Sequence, residues 1–484
     1  MRSESESPEV ALASLFKNAY SQAPVSIEAL KGDGSSRKIF RLRGKNSSVI
    51  GVWGPDRKEN EAFLSFSRHF LKSGIFVPEI YAENLALGVY LEEDLGDVTL
   101  FDYLSQNRSK QKISPEVAAV YLEVAQTLPR FQIEAGKNLD YSVCYPRSRF
   151  DKKSMLWDMN HFKYYFLTLA HIPFDEQALE EDFERLSDFL SEAGSDYFLY
   201  RDFQSRNIMV CRGKPAFIDY QGGRLGALQY DIASLAFDAK ANLSAAFREE
   251  LLEAYLKALG KKMSFNRADF KKYYPGFILI RILQALGAYG LRGFYERKPH
   301  FLQSIPFALK NLSWLLETQD LKVSLPAFTP LLKKMAASPQ LLALGAPSPS
   351  AKKLTVHISS FSYAEGPPKD GSGHGGGFVF DCRALPNPGR DKSMAHLSGL
   401  DAEVVGFLEK SPEVKKFLAS VFSLVDQSVE NYLSRGFTSL FVAFGCTGGR
   451  HRSVYCAEKL AEHLRRNASV NSPVRHISLP QPVS

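Results

Sequence analysis

Tyr200-Arg201-Asp202-Phe203-Gln204-Ser205-Arg206-Asn207-Ile208-Met209-Val210 is followed, one short turn later, by Ile218-Asp219-Tyr220. The stretch is a β-rich island, with strand-like pieces at 197–199, 208–210 and 216–218. It sets a carboxylate on a loop, a carboxamide five residues on, and a second carboxylate at a strand end. Phosphoryl transfer to an alcohol needs such groups. One carboxylate accepts the hydroxyl proton, and oxygen ligands hold magnesium against nucleotide phosphates. In this reading Asp202 is the base, Asn207 and Asp219 are the metal ligands, and ATP and Mg2+ are the cofactors. D-x-x-x-x-N alone recurs by chance; the strand, turn and Ile-Asp-Tyr behind it make the signal specific.

Upstream, 38–43 and 48–53 read as strands joined by a Gly44-Lys45-Asn46 turn. Residues 60–72 read as a helix with Phe63, Phe66 and Phe70 on one stripe, and 77–81 and 87–91 as further strands. Downstream, 115–134, 176–192, 245–259 and 270–292 carry helical spacing. A small β lobe, a helical lobe and short strands at the junction imply a cleft. The acidic stretch at 176–196 interleaves with Leu179, Phe183, Leu186 and Leu190, so it reads as the solvated face of a helix. In the helix expected over 152–167, Trp157, Asp158, His161 and Lys163 stand among aromatics, which reads as core more than as a sugar-binding wall.

Residues 337–353, ASPQLLALGAPSPSAKK, are rich in Ala, Pro and Ser and read as a linker. The expected organisation is a lobe over 1–96, a second over 97–336, the linker, and a small domain over 354–484. That domain opens with a strand at 354–360 and a glycine-rich turn at 369–377, whose His374 reads as solvent-exposed. An apolar strand at 439–444 runs into Gly445-Cys446-Thr447-Gly448-Gly449-Arg450-His451-Arg452-Ser453, with a helix at 454–465. Strand, glycine turn and helix form an anion-binding recipe, because free N–H groups and the helix dipole point at the ligand. Cys446 and Arg452 also have the C-x5-R spacing of cysteine phosphatases; the wider pattern below takes precedence.

Composition narrows the class. Hydrophobic residues at 45% and charged residues at 23% exclude a mainly disordered or fibrous chain. No run of about 18 apolar residues occurs, so no membrane span is expected. The opening MRSESESPEV lacks the basic and apolar regions of a secretory signal. Five cysteines without CxxC spacing argue against structural disulfides and zinc, and for a reducing, cytoplasmic setting. Sixty Lys and Arg against 53 Asp and Glu give +7, mild for this length, which suits anionic ligands without demanding nucleic acid.

The catalytic stretch, followed by Asp231-Ile232-Ala233-Ser234-Leu235, resembles the aminoglycoside phosphotransferase and choline kinase superfamily. That resemblance covers about 25–320 and implies a bilobal protein-kinase-like fold, with Asp231 bracing the catalytic loop. Within it, the amino-sugar kinase branch (AmgK-like) is the most similar. The supporting stretches are Gly32-Asp33-Gly34-Ser35-Ser36-Arg37-Lys38-Ile39-Phe40-Arg41-Leu42, Val77-Pro78-Glu79-Ile80-Tyr81, Leu91-Glu92-Glu93-Asp94-Leu95-Gly96 and 281–290. The branch implies phosphorylation of the anomeric hydroxyl of N-acetylmuramate or N-acetylglucosamine. Gly34, Ser35, Ser36 and Arg37 would meet phosphates, and Glu93 and Leu95 would meet adenine at the hinge. Two departures stand out. Tyr200 replaces the usual His, and the strand Val49-Ile50-Gly51-Val52-Trp53 lacks the phosphate-binding Lys. Arg37, Lys38, Arg41 or Lys58 would have to supply that charge, oriented by Glu59 or Glu61.

The small domain resembles the RapZ C-terminal domain family through Ser360-Phe361 with Gly366-Pro367-Pro368, Phe380-Asp381-Cys382-Arg383-Ala384-Leu385-Pro386-Asn387-Pro388, Ser398-Gly399-Leu400-Asp401 and the turn at 445–453. This implies an amino-sugar phosphate ligand held by Asp381, Arg383, Cys446, Thr447, Gly448, Gly449, His451, Arg452 and Ser453. The family also implies RNA as a partner, but Arg465, Arg466, Arg475 and His476 are sparser than its terminal basic cluster. The expected fold class is thus α/β (α+β): a bilobal kinase-like fold and a small α/β domain. The expected function is a cytoplasmic amino-sugar kinase fused to a sugar-phosphate-binding domain. Its rivals are an RNA-binding adapter with a degenerate kinase, and a kinase of choline, an aminoglycoside or another small alcohol. Oligomeric state is left open.

Overall fold

A computed structural model describes residues 7–30, 36–45, 47–109, 112–344, 353–368, 377–434, 437–467 and 469–479. It divides into two compact units, Met1–Gly345 and Ala346–Ser484.

The first unit opens with helix α1, Pro8–Tyr20, which the sequence reading missed. Its signals are local: Ser7 caps Val10, Pro8 starts the first turn, and Leu12 and Phe16 fall on one face. Five antiparallel strands follow, β1 Ser26–Leu30, β2 Lys38–Arg43, β3 Ser48–Trp53, β4 Ile80–Asn84 and β5 Val89–Glu93, ordered β1-β2-β3-β5-β4. One face packs Phe40, Leu42, Val49 and Leu91 under α1. The other meets helix α2, Arg57–Lys72, which buries Phe63, Phe66 and Phe70. β4 starts three residues later than expected, because Pro78 has no N–H for a ladder. β5 likewise waits for a turn at Gly88, whose φ is +69°.

The second lobe is helical: α3 Leu100–Gln106, α4 Pro115–Pro129, α5 Lys152–Phe162, α6 Glu176–Ser191, α7 Gln229–Ala236, α8 Ala245–Gly260 and α9 Arg267–Tyr289. The helices expected over 115–134, 152–167 and 270–292 each change to a π turn near the end: Arg130–Ala135, Lys163–Leu167 and Gly290–Tyr295. Two of these turns cross at Gly290, where a Cβ would lie 2.0 Å from the Tyr165 carbonyl oxygen. With its π turn, α9 is the one helix among the described residues long and apolar enough to cross a membrane, at mean hydropathy 1.3. Here it is a core helix: Phe277, Ile278, Leu279, Ile280 and Leu283 are buried in the lobe.

Two short antiparallel ribbons carry the loop that decided the fold. Tyr197–Leu199 pairs with Arg224–Gly226, and Ile208–Cys211 with Lys214–Phe217. The presumed linker is partly structured. Ser338 caps a short helix, Pro339–Ala343, and Leu341 is buried in the lobe's core.

The second unit has its own core around a five-stranded parallel sheet. Ser439–Cys446 lies between Gly377–Asp381 and Leu354–Ser362, and the last strand pairs in turn with Val470–Asn471 and Val474–His476. Parallel strands are covered on both faces, which accounts for the unbroken apolar run Leu440-Phe441-Val442-Ala443-Phe444. Helix Arg452–Leu464 follows the central strand.

Candidate functional site

Asp202 and Asp219 sit where the two ribbons open into loops. Arg201 and Asp219 are both held at positive φ, 82° and 68°, a backbone strain that side-chain contacts must maintain. Asp231, at the start of α7 and fully buried, accepts the Tyr200 N–H at 2.8 Å and the Arg201 N–H at 3.0 Å. Burial pushes its carboxyl up to about 7 against those two bonds. Arg201 makes a two-pronged bond to Asp158 at 2.7 and 2.8 Å, which accounts for one of the polar groups noted on α5. Lys163 is spent on Glu176 and Glu180, and Trp157 lies beneath Arg147. Tyr200, in the place of the usual His, packs in the core and donates its hydroxyl proton to the Ile218 carbonyl at 2.6 Å.

The catalytic stretch converges on one point. Asn207 Nδ2 donates to the Asp202 carbonyl at 2.9 Å and to Asp219 Oδ2 at 3.1 Å. Gln221 donates to Asp219 Oδ1 at 2.8 Å, and Arg37 also bonds that oxygen. Asp202 lies on the same cavity, of about 370 Å³. Burial pushes the Asp202 carboxyl up and Asp219 adds to this; Arg201, Arg281 and Arg224 pull it back. One carboxylate and one amide oxygen form the small, hard donor set that Mg2+ takes when phosphates and water complete its shell, so these residues fit that ion.

Four cations were open as replacements for the missing strand Lys, and geometry separates three of them. Arg37 bonds Asp219 and lies 3.8 Å from Glu59 near the start of α2. Arg41 belongs to the hinge, where it bonds Asp94 at 2.8 and 2.9 Å and pairs with Asp97. Lys38 lies over the Trp53 ring. Glu61 is taken by Arg57. Of the phosphate turn, Gly34 and Ser35 lie outside the described residues, and Ser36 adjoins Arg37.

At the hinge, Glu93 closes β5, and its N–H bonds the Glu79 carbonyl at 2.9 Å. Leu95 is buried with Met209 and Ala216, and Ile218 packs against them. Together they form a small apolar cluster at the hinge. The sequence reading had only Leu95 of it; the others read as ordinary strand residues. Also unread were the residues lining the cavity beyond Asp202. Gln284, Ala285, Ala288 and Tyr289 fall on one face of α9, and Arg206, Lys240 and Arg292 join them.

In the second unit the turn at 447–451 lies at the carboxyl end of the central parallel strand, the usual place for ligands in such sheets. Gly449 has φ +64°, and a Cβ there would stand 2.7 Å from the Ser362 nitrogen. Thr447 and Gly448 are exposed. Burial pushes the Cys446 thiol up, but Ser453, at 3.1 Å, and the backbone of His451 and Arg450 outweigh it. Cys446 itself is buried. Arg452 is turned inward. Its guanidinium donates to the Arg383 and Leu385 carbonyls at 2.8 and 3.1 Å and reaches Thr447 Oγ1 at 3.4 Å. It thus ties the turn to the neighbouring strand end. His451 bonds the Met394 carbonyl. Asp381 and Arg383 pair with each other at the edge.

Comparison with known proteins agrees with both units. The profile of the phosphotransferase enzyme family matches residues 26–269, half of the chain, and the protein belongs to that family. The profile of the RapZ C-terminal domain matches residues 354–479. A nucleotide-binding protein of Nitrosomonas eutropha is 44% identical over 127 residues, 26% of this chain and 42% of the relative. One of Pseudothermotoga lettingae is 41% identical over 113 residues, 23% of this chain and 39% of the relative. The chain thus spans about two fifths of the length of these curated relatives. Among solved structures, a choline/ethanolamine kinase family protein from Mesorhizobium loti covers 68% of this chain and 98% of its own, at 15% identity and TM-score 0.44. Choline kinase from Cryptosporidium parvum covers 64% and 93%, at 12% identity and TM-score 0.43. The first unit is a kinase-like phosphotransferase fold, and its family implies a small-molecule substrate.

Proposed function

We propose that the first unit transfers the γ-phosphoryl group of ATP to an amino sugar, N-acetylglucosamine or N-acetylmuramate, at the anomeric hydroxyl. We propose also that the second unit binds an amino-sugar phosphate, and that the protein works in the cytoplasm. The observation that carries the reading is the convergence of Asp202, Asp219 and Arg37 on one cavity, with Asn207 hydrogen-bonded to Asp219. Asp202 receives the acceptor's proton; its raised carboxyl makes it a stronger base than an exposed aspartate. Asn207 and Asp219 would hold Mg2+, which when bound draws charge from the phosphates. Arg37, steadied by Glu59, supplies positive charge beside them. Leu95, Met209 and Ala216 exclude water beneath the adenine base. The amino sugar and the anomeric position rest on likeness to the amino-sugar kinase branch, and the sugar phosphate on the RapZ C-terminal domain. The free cysteines suit a reducing compartment.

An ADP-release screen over N-acetylglucosamine, N-acetylmuramate, choline and kanamycin, with phosphorus NMR of the product, tests the reading. The expected product is a sugar 1-phosphate. A 6-phosphate removes the anomeric assignment, and turnover of choline or kanamycin alone removes the amino sugar.

A further inference from the structure

The cavity's basic wall identifies the acceptor more closely. Besides Arg37 its lining carries four cations, Arg206, Lys240, Arg281 and Arg292. Besides Asp219 its carboxylates are Asp202 and Asp238. Asp202 is reserved for the proton, and Asp238 bonds the Ser205 hydroxyl and N–H. Arg281 is the decisive residue. It is only 7% exposed, and its hydrogen bonds go to Ser234 Oγ at 2.8 Å, to Gln204 Oε1 at 3.3 Å and to Gln284. None of these partners is a carboxylate. The carboxylate that acts on it is Asp202, in the same cavity and not hydrogen-bonded to it, so an anionic ligand group would give this guanidinium its first charged hydrogen-bond partner. Arg281 is among the residues that line the cavity.

The wall also has the extent of a substrate rather than of one phosphate. Arg281 and Arg292 stand eleven residues apart on α9 and its π turn, about 16 Å at helical rise. Between them Gln284, Ala285 and Ala288 face the cavity, and the two alanines leave room. Arg292 is already paired with Glu296 at 3.1 Å, whereas Arg281 has no carboxylate in direct contact.

We infer that the acceptor carries an anionic group, a carboxylate or a phosphate, seated against Arg281 while its hydroxyl faces Asp202. The inference rests on the kinase reading and deepens it. A quaternary amine or a polycation would meet like charge here.

The test uses acceptors matched except for charge, on the full chain. The pairs are N-acetylmuramate against its methyl ester, a uronic acid against its parent hexose, and glucosamine-6-phosphate against glucosamine, with choline as the cation. Turnover and calorimetric binding are both measured. The anionic members should be preferred by about tenfold to a hundredfold, the range of a charge-assisted bond. Arg281→Gln should raise KM for the anionic member by about tenfold or more, with KM for ATP moving less. Preference for the carboxylate pairs or for the phosphate pair tells which group is held. Neutral or cationic members bound and turned over equally well would overturn the inference, the kinase reading standing. So would an Arg281→Gln effect on ATP alone, which would assign the residue to the transferred phosphate. Preferential binding of anions without turnover supports the inference and counts against the kinase reading; no binding of either charge class overturns it.

Discussion

At the scale of single residues, Asp202 is the proposed base. Asp202→Asn should lower kcat by about 10²–10⁴ while ATP and acceptor still bind, as calorimetry would show. Because protonated Asp202 cannot accept a proton, activity should fall as pH drops through its carboxyl, which burial has moved upward. The acid limb of kcat/KM should therefore lie above the ordinary aspartate range. Glu92 tests burial in another way. Its Oε2 is sealed from water without a partner, and burial pushes the carboxyl up to about 8 from 4.5. A raised acid favours folding while protonated, so its contribution is intact below 4.5 and is lost as pH rises through about 8. The denaturant midpoint should fall over that window, and Glu92→Gln should flatten the fall. The spacing of Asp202, Asn207 and Asp219 was legible in sequence because they lie on one short stretch. Arg37 was one of four options, since only the fold brings it to Asp219. Arg281 was unreadable as a site residue, because it interrupts an apolar run whose periodicity marks a core helix.

At the scale of elements, Asp231 ties α7 to the backbone of Tyr200 and Arg201. Asp231→Ala removes the acceptor of two buried N–H groups, each worth about 1–3 kcal/mol when left unpaired. The variant should lose stability at unchanged denaturant slope, and turnover should fall because the strained φ at Arg201 is no longer held. The helices of the second lobe were legible from their apolar stripes. Their π turns were not, because a π turn depends on a crossing partner such as Tyr165 at Gly290 and not on local propensity. β1 escaped notice because its five residues are exposed or half-buried and show no alternation. α1 shows the opposite failure: Ser7, Pro8, Leu12 and Phe16 were there to be read behind an acidic, serine-rich opening.

At the scale of the whole molecule, the two units have separate hydrophobic cores. Calorimetry should resolve two unfolding transitions. ATP with Mg2+ should raise one and an amino-sugar phosphate the other, by mass action on the unit that binds it. A single transition moved by both ligands would show that the units are coupled. The boundary between the units, at Gly345 and Ala346, falls within the Ala-, Pro- and Ser-rich stretch 337–353, whose Leu341 is apolar enough to dock a last turn of helix on the first unit.

The strand order of the second unit also governs the order in which the chain can assemble as it is made. Leu354–Ser362 and Gly377–Asp381 do not pair with each other; both wait for Ser439–Cys446, which is placed between them. During synthesis at about 5–20 residues per second, the first unit is complete while these two strands still have no partner. A ribosome stalled before residue 439, or a nonsense codon there, would therefore release a folded phosphotransferase trailing two sticky, unpaired β-segments. Such a product should be trimmed by proteases back to about residue 345, a fragment that mass spectrometry of the truncated chain would reveal.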